Sequence, residues 1–382
     1  MKVLVIPSWF VSSFSPLSGI FFKEQSEALA EVKGIDVSII SVNRISFKNI
    51  TKSCRIPKFR VEKYKKNSVT YRTIEIPSLP KMQAFNDEVA FSLGKKLFKQ
   101  HIKENDLPDI IHLHSFLKGR LALWIKENYN IPYVITEHST GFARDSYSSK
   151  MLKYANKVYR NADSRFVVST PFKCLMEKKF NLKFDVLPNI VDTNFFNLKK
   201  DIEPKSFSFL NVAFLEPKKN HEILIKAFWN AFKNNDSVSL NIAGNGTQYF
   251  NLKKLVSDLG ASERITLYGE ANRDQVRSLM HSSSVFVLSS EYETFGVVLI
   301  EALSTGTPVV ATRCGGPEDI VSKSVGVLCD TNSNSLESAL LEIYTNFELY
   351  NKEVLREYAI KNYSKEVVSN QLVKKYTSII KN

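Results

Sequence analysis

The chain has 382 residues, of which 43% are hydrophobic and 24% charged, with 14 glycines and 13 prolines. At roughly 150 residues per domain this length predicts two domains, and the composition excludes a disordered chain and a small disulfide-stapled scaffold. The net charge of +13 is uneven, because residues 1–200 carry 33 basic and 18 acidic side chains whereas residues 201–382 carry 19 and 21. The N-terminal half is therefore expected to meet an anionic partner.

The cysteines and the lengths of the apolar runs favour a reducing, cytoplasmic compartment. Cys54, Cys174, Cys314 and Cys329 have no C-x-x-C spacing, which argues against a zinc site or a disulfide framework and favours a reducing environment. The first apolar run ends after four residues at Pro7, too short for a signal peptide, and no run is long enough to span a membrane. We expect a cytoplasmic protein whose membrane contact, if it has one, is peripheral.

Short β-branched runs alternate with helical periodicities, a pattern typical of βαβ units and mostly parallel sheets. In the first half, strands are predicted at residues 3–6, 37–42, 110–113, 133–136, 165–169 and 185–187, and helices at 21–32, 87–104, 119–128 and 149–161. In the second half, strands are predicted at residues 207–214, 238–243, 265–268, 285–288, 308–311 and 326–328, and helices at 221–232, 252–259, 274–282 and 295–304. Residues 353–380 are predicted to be helical throughout. The pattern predicts two Rossmann-like halves.

The boundary between the halves is predicted after Pro188 and Asn189, because the polar, Lys-rich segment 197–206 precedes the second strand series. Open parallel sheets bind ligands beyond the carboxyl ends of their strands, so a ligand is expected in a cleft between the two sheets. The final helix could cross back onto the first half.

Residues 44–72 form the most basic segment, with ten Lys and Arg side chains, one acid (Glu62) and interleaved apolar and aromatic residues. One interpretation is a solvated loop. Another is a surface that touches anionic lipid headgroups, where each charge contributes about 1 kcal/mol. Nucleic-acid binding is less favoured, because no nucleic-acid motif accompanies the charge. The candidate acceptor or membrane contacts are Lys58, Arg60, Lys63, Lys65 and Lys66.

Residues 291–301 join a predicted apolar strand to an apolar helix. Backbone amides of residues 294–297 at the helix N-terminus could bind a phosphate. Glu293 and Glu301 are eight residues apart, which keeps both carboxylates on one helix face if the helix begins near Glu293. Paired carboxylates accept hydrogen bonds from hydroxyls, so the arrangement suits a nucleotide sugar. The plain alternative is that both acids compensate the helix dipole on a solvated face.

The Glu293-x7-Glu301 pattern, followed by ALSTGTPVVAT at 302–312 and GGPE at 315–318, resembles the retaining family-4 (group 1) glycosyltransferases of the GT-B fold. The other segments that resemble the family are PSW at 7–9, SGIF at 18–21, DIIHLH at 109–114, TEH at 136–138, LPNIVD at 187–192 and AGNG at 243–246.

The resemblance implies a GT-B fold, in which two Rossmann-like α/β domains face each other across a cleft. The N-terminal, acceptor-binding domain is expected at residues 1–190, with residues 365–382 crossing back to it. The C-terminal, nucleotide-sugar-binding domain is expected at residues 191–364.

The resemblance also implies roles for individual residues of the second domain. Glu293 would face the donor sugar and its C3 hydroxyl, and Glu301 would bind the ribose hydroxyls. The amides of Phe295 and Gly296 would approach the sugar and the diphosphate, and Val297 at the helix start is a further donor-binding candidate.

Two departures from the family pattern concern the diphosphate. Gly19 would let the backbone approach it, but the family has two glycines where this chain has Ser18-Gly19. Lys219 matches the family lysine, whereas Phe214 stands where the family has an arginine, so a bidentate contact is lost. Lys218 is the candidate for the second cation.

Histidines and glycines supply the remaining candidates. The family's matching histidine, here His138, would face the reaction centre; the alternative is a structural histidine. We expect one of His112 and His114 to point into the core and the other toward the cleft, and they are unconvincing as a metal pair. Gly244 is either a simple turn glycine or part of a loop near the donor.

The resemblance implies a hexosyltransferase-type reaction that retains the configuration of a sugar moved from a nucleoside diphosphate to an acceptor hydroxyl, with His138, Glu293 and Lys219 at the reaction centre. The leaving diphosphate oxygen would take the acceptor proton. No Asp-x-Asp is present, so no cofactor and no divalent metal are expected.

The acceptor would be a glycan or lipid-linked saccharide in cell-surface polysaccharide synthesis, met at the inner face of the cytoplasmic membrane; no nucleic acid is expected as a partner. Two other functions remain open. One is a nucleotide-sugar epimerase on the same fold, and the other is a non-catalytic nucleotide- or glycan-binding relative, which Phe214 motivates.

Overall fold

The computed structural model of the chain describes residues 1–16, 18–53, 55–198 and 206–381. Cys54 and most of the predicted linker at 197–206 lie outside these ranges. The chain divides into two compact units. The N-terminal unit comprises Met1–Val168, Lys173–Ile190 and Val368–Asn382, and the C-terminal unit comprises Ser169–Phe172 and Val191–Val367.

The N-terminal unit is built on a sheet that has eight strands within the described residues, in the order β3-β4-β2-β1-β5-β6-β7-β8. The strands are β1 (Lys2–Pro7), β2 (Asp36–Ser46), β3 (Glu62–Lys66), β4 (Val69–Ser78), β5 (Ile110–His114), β6 (Tyr133–Glu137), β7 (Ser164–Val167) and β8 (Asp185–Val186). The helices that follow these strands are α1 (Ile20–Ala30), α2 (Phe47–Ser53), α3 (Gln83–Glu104), α4 (Gly119–Tyr129), α5 (Ser149–Asn161) and α6 (Thr170–Phe180). The first three residues of α6 are assigned to the C-terminal unit. Every strand pair of this sheet is parallel except β3–β4.

The C-terminal unit is built on a parallel sheet of six strands in the described part of the chain, in the order β11-β10-β9-β12-β13-β14. The strands are β9 (Phe207–Val212), β10 (Val238–Ala243), β11 (Ile265–Gly269), β12 (Val285–Leu288), β13 (Val309–Thr312) and β14 (Gly326–Cys329). The helices are α7 (His221–Phe232), α8 (Tyr249–Asp258), α9 (Arg273–Ser282), α10 (Val297–Ser304), α11 (Pro317–Ile320), α12 (Ser333–Thr345) and α13 (Lys352–Tyr363). The last helix, α14 (Lys365–Ile380), leaves this unit and ends in the N-terminal one.

Each unit has its own apolar core between sheet and helices. In the N-terminal unit, Val3 and Val5 of β1 join a buried cluster with Phe22 of α1 and with Leu372 and Tyr376 of α14. The chain therefore completes the N-terminal core with its C-terminal helix. In the C-terminal unit, strands β9, β10 and β12 contribute to a cluster with α7 and α12. Burial of apolar surface at roughly 25 cal/mol per Å² makes these clusters the main source of stability.

The prediction of two Rossmann-like α/β domains is confirmed, and the structure differs from the local expectations in three places. The basic segment 44–72, for which a solvated loop is one interpretation, is a loop only in part. Residues 55–61 lie outside helices and strands and are mostly exposed, whereas most of the other described residues belong to the end of β2, to α2 and to the β3–β4 hairpin. Asn67 and Ser68 both have positive φ (48° and 63°), which is the backbone of the tight turn that joins β3 to β4. Several strand ends also differ. Strands β7 and β9 stop two residues earlier than expected, and β2 continues four residues further, to Ser46.

The third difference lies near the C-terminus, where the predicted continuous helix is interrupted. Helix α13 ends at Tyr363, and Ser364 has extended backbone (φ −63°, ψ 155°). The Ser364 hydroxyl accepts a hydrogen bond from the amide of Val367, so it caps the first turn of α14. Within the described ranges, no helix combines the length and the apolar character needed to cross a membrane.

Candidate functional site

Lys219 and Glu293 form an ion pair in the C-terminal unit. Lys219 ends a 3-10 turn (Pro217–Lys219) after β9, and Glu293 lies in the loop after β12. The Lys219 Nζ is 2.6 Å from the Glu293 Oε2, and the two side chains are only 18% and 16% exposed. The Ser289 hydroxyl donates to the Lys219 carbonyl, and the Glu291 amide donates to the carbonyl of Lys218. The structure thus brings three of the predicted residues to one place.

The backbone around Glu293 is extended and is held by a second loop. The Glu293 amide donates to the Cys314 carbonyl (3.0 Å), and the Gly316 amide donates to the Glu293 carbonyl (2.8 Å). A Cβ on Gly315 would lie 2.6 Å from the Glu293 oxygen, and one on Gly316 would lie 2.2 Å from the Phe295 Cα. Both glycines are therefore needed for the two loops to approach, a role that sequence reasoning missed.

Helix α10 begins at Val297, two residues after the predicted start at residue 295, so the condition that would place Glu293 and Glu301 on one helix face, a helix that begins near Glu293, is not met. The bridge to residues 314–316 keeps Glu293 extended, and Gly296 then turns the chain with a φ of +97°. The Phe295 side chain is buried, with its ring 5.7 Å from that of Tyr363. The first amides of α10 and the positive end of its dipole follow directly after the Glu293 loop, which is the local geometry an anion prefers.

Glu301 lies in the second turn of α10, beyond the residues that form the Glu293 loop. Burial raises the pKa of its carboxyl to about 7, and the positive charge of Arg273 lowers the pKa in part. The Arg273 guanidinium lies 4.7 Å from the centre of the Phe195 ring. A carboxyl whose pKa is near neutral can either donate or accept a hydrogen bond, which suits contact with hydroxyl groups.

Phe214 is 63% exposed and follows the carboxyl end of β9. Beside it, the Ala213 amide donates to the Ala243 carbonyl, and a Cβ on Gly244 would lie 1.8 Å from the Ala213 oxygen. Gly244 is thus explained by close backbone approach at a turn, and its contact with a donor stays a prediction. The exposed Phe214 ring offers no hydrogen-bond donor where the family has a guanidinium.

In the N-terminal unit, His138 follows β6 and belongs to a buried group of histidines. Its Nε2 lies 3.1 Å from the Nδ1 of His114, and its ring packs against Phe21 and Phe22. Burial lowers the pKa of His138 to about 3, and the neighbouring His112 adds to that effect. A pKa so low means that the imidazole is neutral at pH 7, so it serves as a hydrogen-bonding group rather than as a cation.

The expectation that His112 and His114 point in opposite directions is wrong. Residues two apart on a strand share one face, and the two rings stack with centroids 4.1 Å apart. His112 Nε2 lies 2.7 Å from the Thr136 hydroxyl, and the Tyr376 hydroxyl of α14 lies 2.6 Å from His112 Nδ1. In the described part of the chain, no three His, Cys, Asp or Glu side chains are grouped to hold a metal ion.

Gly19 is the residue before α1 and has a φ of +69°, a left-handed conformation that favours glycine. A Cβ at this position would lie 2.7 Å from the Trp9 carbonyl. The turn after β1 and the start of α1 therefore approach closely only with glycine here. Its contact with a diphosphate stays a prediction.

The predicted acceptor or membrane contacts are exposed. Lys58 pairs with Glu62, and Lys63 pairs with Glu104 of α3. Lys63, Lys65 and Lys66 all lie on β3, the edge strand of the sheet, where charged side chains also prevent pairing with another chain. Ile56 and Phe59, in the same segment, are 80% and 61% exposed, so this surface presents apolar as well as basic groups.

Both halves of the chain match family descriptions. Residues 192–362 match "Glycosyl transferases group 1", and residues 19–195 match "Glycosyltransferase Family 4". An uncharacterised glycosyltransferase of Methanocaldococcus jannaschii is 27% identical over 307 residues, which cover 79% of this chain and 84% of that protein.

Solved structures share the fold over the whole chain. The sucrose-phosphate synthase of Thermosynechococcus elongatus superposes with a TM-score of 0.78 at 19% identity, with 99% of each chain covered. The Anabaena protein HepE, solved in complex with UDP, superposes with a TM-score of 0.73 at 18% identity and covers 99% of this chain and 100% of its own. These likenesses identify the architecture as GT-B.

Proposed function

The chain belongs to the glycosyltransferases of group 1 and family 4, and on that premise we propose that it moves a sugar from a nucleoside-diphosphate sugar to a hydroxyl of a glycan or lipid-linked saccharide. The observation that carries the proposal is the Lys219–Glu293 pair beside the N-terminus of α10. These three groups match the parts of such a donor. The cation and the helix N-terminus can bind the phosphates, and the carboxylate can accept hydrogen bonds from the sugar hydroxyls.

Two carboxyl groups would bind the two ends of the donor, the sugar and the ribose. Glu293 would accept a hydrogen bond from a hydroxyl of the sugar, and Glu301 would bind the ribose hydroxyls. Lys219 and the amides at the start of α10 would hold the diphosphate between them. HepE, which shares the fold, is bound to UDP in its solved structure, and this supports a nucleotide donor here.

We propose that transfer retains the configuration at the anomeric carbon. The bond from that carbon to the diphosphate oxygen breaks, the acceptor oxygen bonds to the same face, and the leaving diphosphate oxygen takes the acceptor proton. The protein's contribution is to hold charge and geometry, since Lys219 and the α10 amides stabilise the negative charge that develops on the leaving group. Neutral His138 would contact the sugar through hydrogen bonds and not through charge.

One assay distinguishes sugar transfer from a non-catalytic function in which the protein only binds a nucleotide sugar. The purified chain is incubated with a panel of nucleotide sugars and a membrane extract, and free nucleoside diphosphate and labelled lipid or glycan are measured. Release of nucleoside diphosphate together with a labelled acceptor supports transfer. Binding of a nucleotide sugar without either product, in wild type and in Phe214→Arg alike, would leave only a binding function.

We further propose that the enzyme works in cell-surface polysaccharide synthesis at an anionic membrane surface, on the inner face of the cytoplasmic membrane. Lys58, Arg60 and the lysines of β3, together with the exposed Ile56 and Phe59, support this location. Each basic residue near such a surface contributes about 1 kcal/mol.

Flotation with neutral and with anionic vesicles tests this location. We expect the protein to float only with anionic vesicles, and a Lys63→Gln/Lys65→Gln/Lys66→Gln variant to lose most of that binding. Equal flotation with both kinds of vesicle, or with neither, would count against it.

A further inference from the structure

The N-terminal unit contains a cavity of about 670 Å³ that none of the proposed donor residues lines. It lies between the carboxyl-terminal part of β1 and β2 and helices α3, α4 and α5. Its floor is buried and apolar, and the residues that form it include Ile6, Pro7, Ile40, Val42, Phe116 and Leu121. The volume is within the range of pockets that bind small organic molecules, about 300–1,000 Å³.

The rim of the cavity carries charges that are already paired. Arg44 forms an ion pair with Asp87 of α3, and Arg120 of α4 forms one with Glu88. The Arg120 guanidinium also lies 3.8 Å from the centre of the Phe91 ring. These contacts fix both arginines against α3, so neither is the obvious group to meet a ligand's charge.

Lys118 differs from the two arginines. It precedes α4, lines the cavity, and places its Nζ 3.3 Å from the carbonyl oxygen of Val42. Among the described residues, no carboxylate is within ion-pair distance of this amine. Burial and, to a smaller extent, the charge of Arg44 lower the pKa of Lys118 to about 8, although the negative charge of Asp87 opposes this shift in part. The amine is thus partly removed from solvent at the cavity wall without a directly paired carboxylate, an arrangement that costs free energy and that a bound anion would relieve.

The charge of the lining points to the same kind of ligand. Arg44, Lys118, Arg120 and Lys150 face only two acids, so the lining has a net charge of +2. Lys150 and two other lining residues, Met151 and Tyr154, belong to the first half of α5, near the positive end of its dipole. A phosphate monoester carries about −1.5 to −2 charges at pH 7, which matches this excess better than a carboxylate does.

We propose that this cavity binds an organic phosphate that has an apolar chain, with the phosphate on Lys118 and the chain on the apolar floor. The two sources of such a ligand are the phosphate-linked lipid of the acceptor and a free organic phosphate. The assignment of this ligand to the lipid of the acceptor rests on the proposed function, whereas the binding of an organic phosphate in the cavity does not.

Calorimetric titration of the full-length chain at pH 7 tests the proposal with octyl phosphate below its micelle concentration. Three comparison ligands each lack one feature of octyl phosphate. Inorganic phosphate lacks the apolar chain, octyl glucoside lacks the negative charge, and octanoate lacks the second negative charge. We expect octyl phosphate to bind at least tenfold more tightly than each of the three. Equal affinity for inorganic phosphate, for octyl glucoside or for octanoate would overturn the assignment of an apolar phosphate.

Variants locate the site. Lys118→Met should weaken octyl phosphate at least tenfold, and Lys118→Arg, which keeps the charge, should stay within about threefold of wild type. Lys153→Met is the matched control, because Lys153 is exposed on α5 and does not line the cavity. Ala90→Leu fills the floor and should also weaken binding, with unchanged nucleoside-diphosphate binding as evidence that the variant is folded. Wild-type affinity in Lys118→Met would overturn the site.

The transfer assay separates the two sources. Octyl phosphate that inhibits transfer competitively against the lipid acceptor, and not against the nucleotide sugar, supports the acceptor's own phosphate as the ligand. Binding without inhibition supports a separate organic phosphate. If transfer is absent while octyl phosphate binds, the proposed function fails and the cavity stands. If transfer proceeds and octyl phosphate does not bind, only the cavity proposal fails.

Discussion

The carboxylate of Glu293 lies 2.6 Å from the ammonium group of Lys219. The same ammonium group is the one that we propose for the diphosphate, so the carboxylate and the diphosphate compete for it. The pair is mostly shielded from solvent, which makes this competition stronger than that of a surface salt bridge.

Glu293→Gln should therefore change binding and transfer in opposite directions. Nucleoside diphosphate, which lacks the sugar that Glu293 would contact, should bind about three- to tenfold more tightly because Lys219 is released. Transfer should fall at least 100-fold because the sugar loses its carboxylate contact, a loss of the size seen when one transition-state contact is removed. Titration with nucleoside diphosphates and the transfer assay measure the two effects.

Lys219→Met is the companion variant, and it should weaken nucleoside-diphosphate binding and transfer together. Glu291→Gln serves as the control, because Glu291 is an exposed acid in the same loop. Weaker binding of nucleoside diphosphate by Glu293→Gln would contradict the shared use of Lys219.

Phe214→Arg should strengthen donor binding. The Phe214 side chain is 63% exposed, so the substitution needs no repacking of the core, and a guanidinium can bind phosphate in a bidentate manner that lysine cannot. We expect nucleoside-diphosphate affinity to rise about tenfold with little change in melting temperature. Phe214→Leu controls for loss of the ring, and an unchanged affinity in Phe214→Arg would mean that Lys218 already supplies the second cation.

The regular part of the fold could be predicted from the sequence because its signal is local. Central strands such as β1 and β12 are continuous apolar runs, as expected for strands buried on both faces of a parallel sheet. The β3–β4 hairpin was missed because β3 has the sequence EKYKK, in which lysines and a glutamate replace the usual alternation. Such a strand forms through pairing with β4, which is stabilised by the Tyr64–Tyr71 stack at 4.7 Å.

The sequence predicted those features of the site that depend on residue type. It did not predict the features whose geometry is set by contacts with distant segments of the chain. The types and spacing of Glu293 and Glu301 indicated a donor site. The spacing of eight residues does not, however, determine where the helix starts. The start of α10 depends on the bridge to Gly315 and Gly316, more than twenty residues later in the chain. Likewise, nothing local to Lys118 shows that it lines a cavity.

Glu301 should make the stability of the C-terminal unit depend on pH. Its pKa of about 7 lies above the ordinary value of 4.5, so the folded protein holds a proton there that the unfolded chain has lost. The stabilisation that this proton provides is fully present below about pH 4.5 and is lost as the pH rises to about 7.

Melting temperatures at several pH values between 4.5 and 8 measure the effect. Relative to wild type, Glu301→Gln should become progressively more stable as the pH rises, because glutamine cannot ionise. A melting-temperature difference that is constant across this range would contradict the raised pKa.

His114 should position His138. Both rings are buried and neutral, so their contact at 3.1 Å requires one nitrogen to donate and the other to accept, which couples the tautomer of His138 to that of His114. His114→Phe should lower transfer about tenfold or more without weakening nucleoside-diphosphate binding, while His114→Asn, which keeps a polar atom, should retain part of the activity. The ¹⁵N shifts of the His138 ring report the tautomer. Shifts identical to wild type in His114→Phe would exclude a positioning role.

The docking of α14 on the N-terminal unit should depend on one buried hydrogen bond. The Tyr376 hydroxyl lies 2.6 Å from His112 Nδ1, whereas the adjacent Lys375 pairs with Asp185 at the surface, where both side chains are about half exposed. Tyr376→Phe leaves a buried imidazole nitrogen without its partner and should destabilise the docked helix by about 1–3 kcal/mol. Lys375→Met, the matched control on the same helix, removes only an exposed ion pair and should cost less than about 1 kcal/mol. Hydrogen exchange of the α14 amides measures this local stability, and equal exchange rates in the two variants would show that the buried bond does not hold the helix.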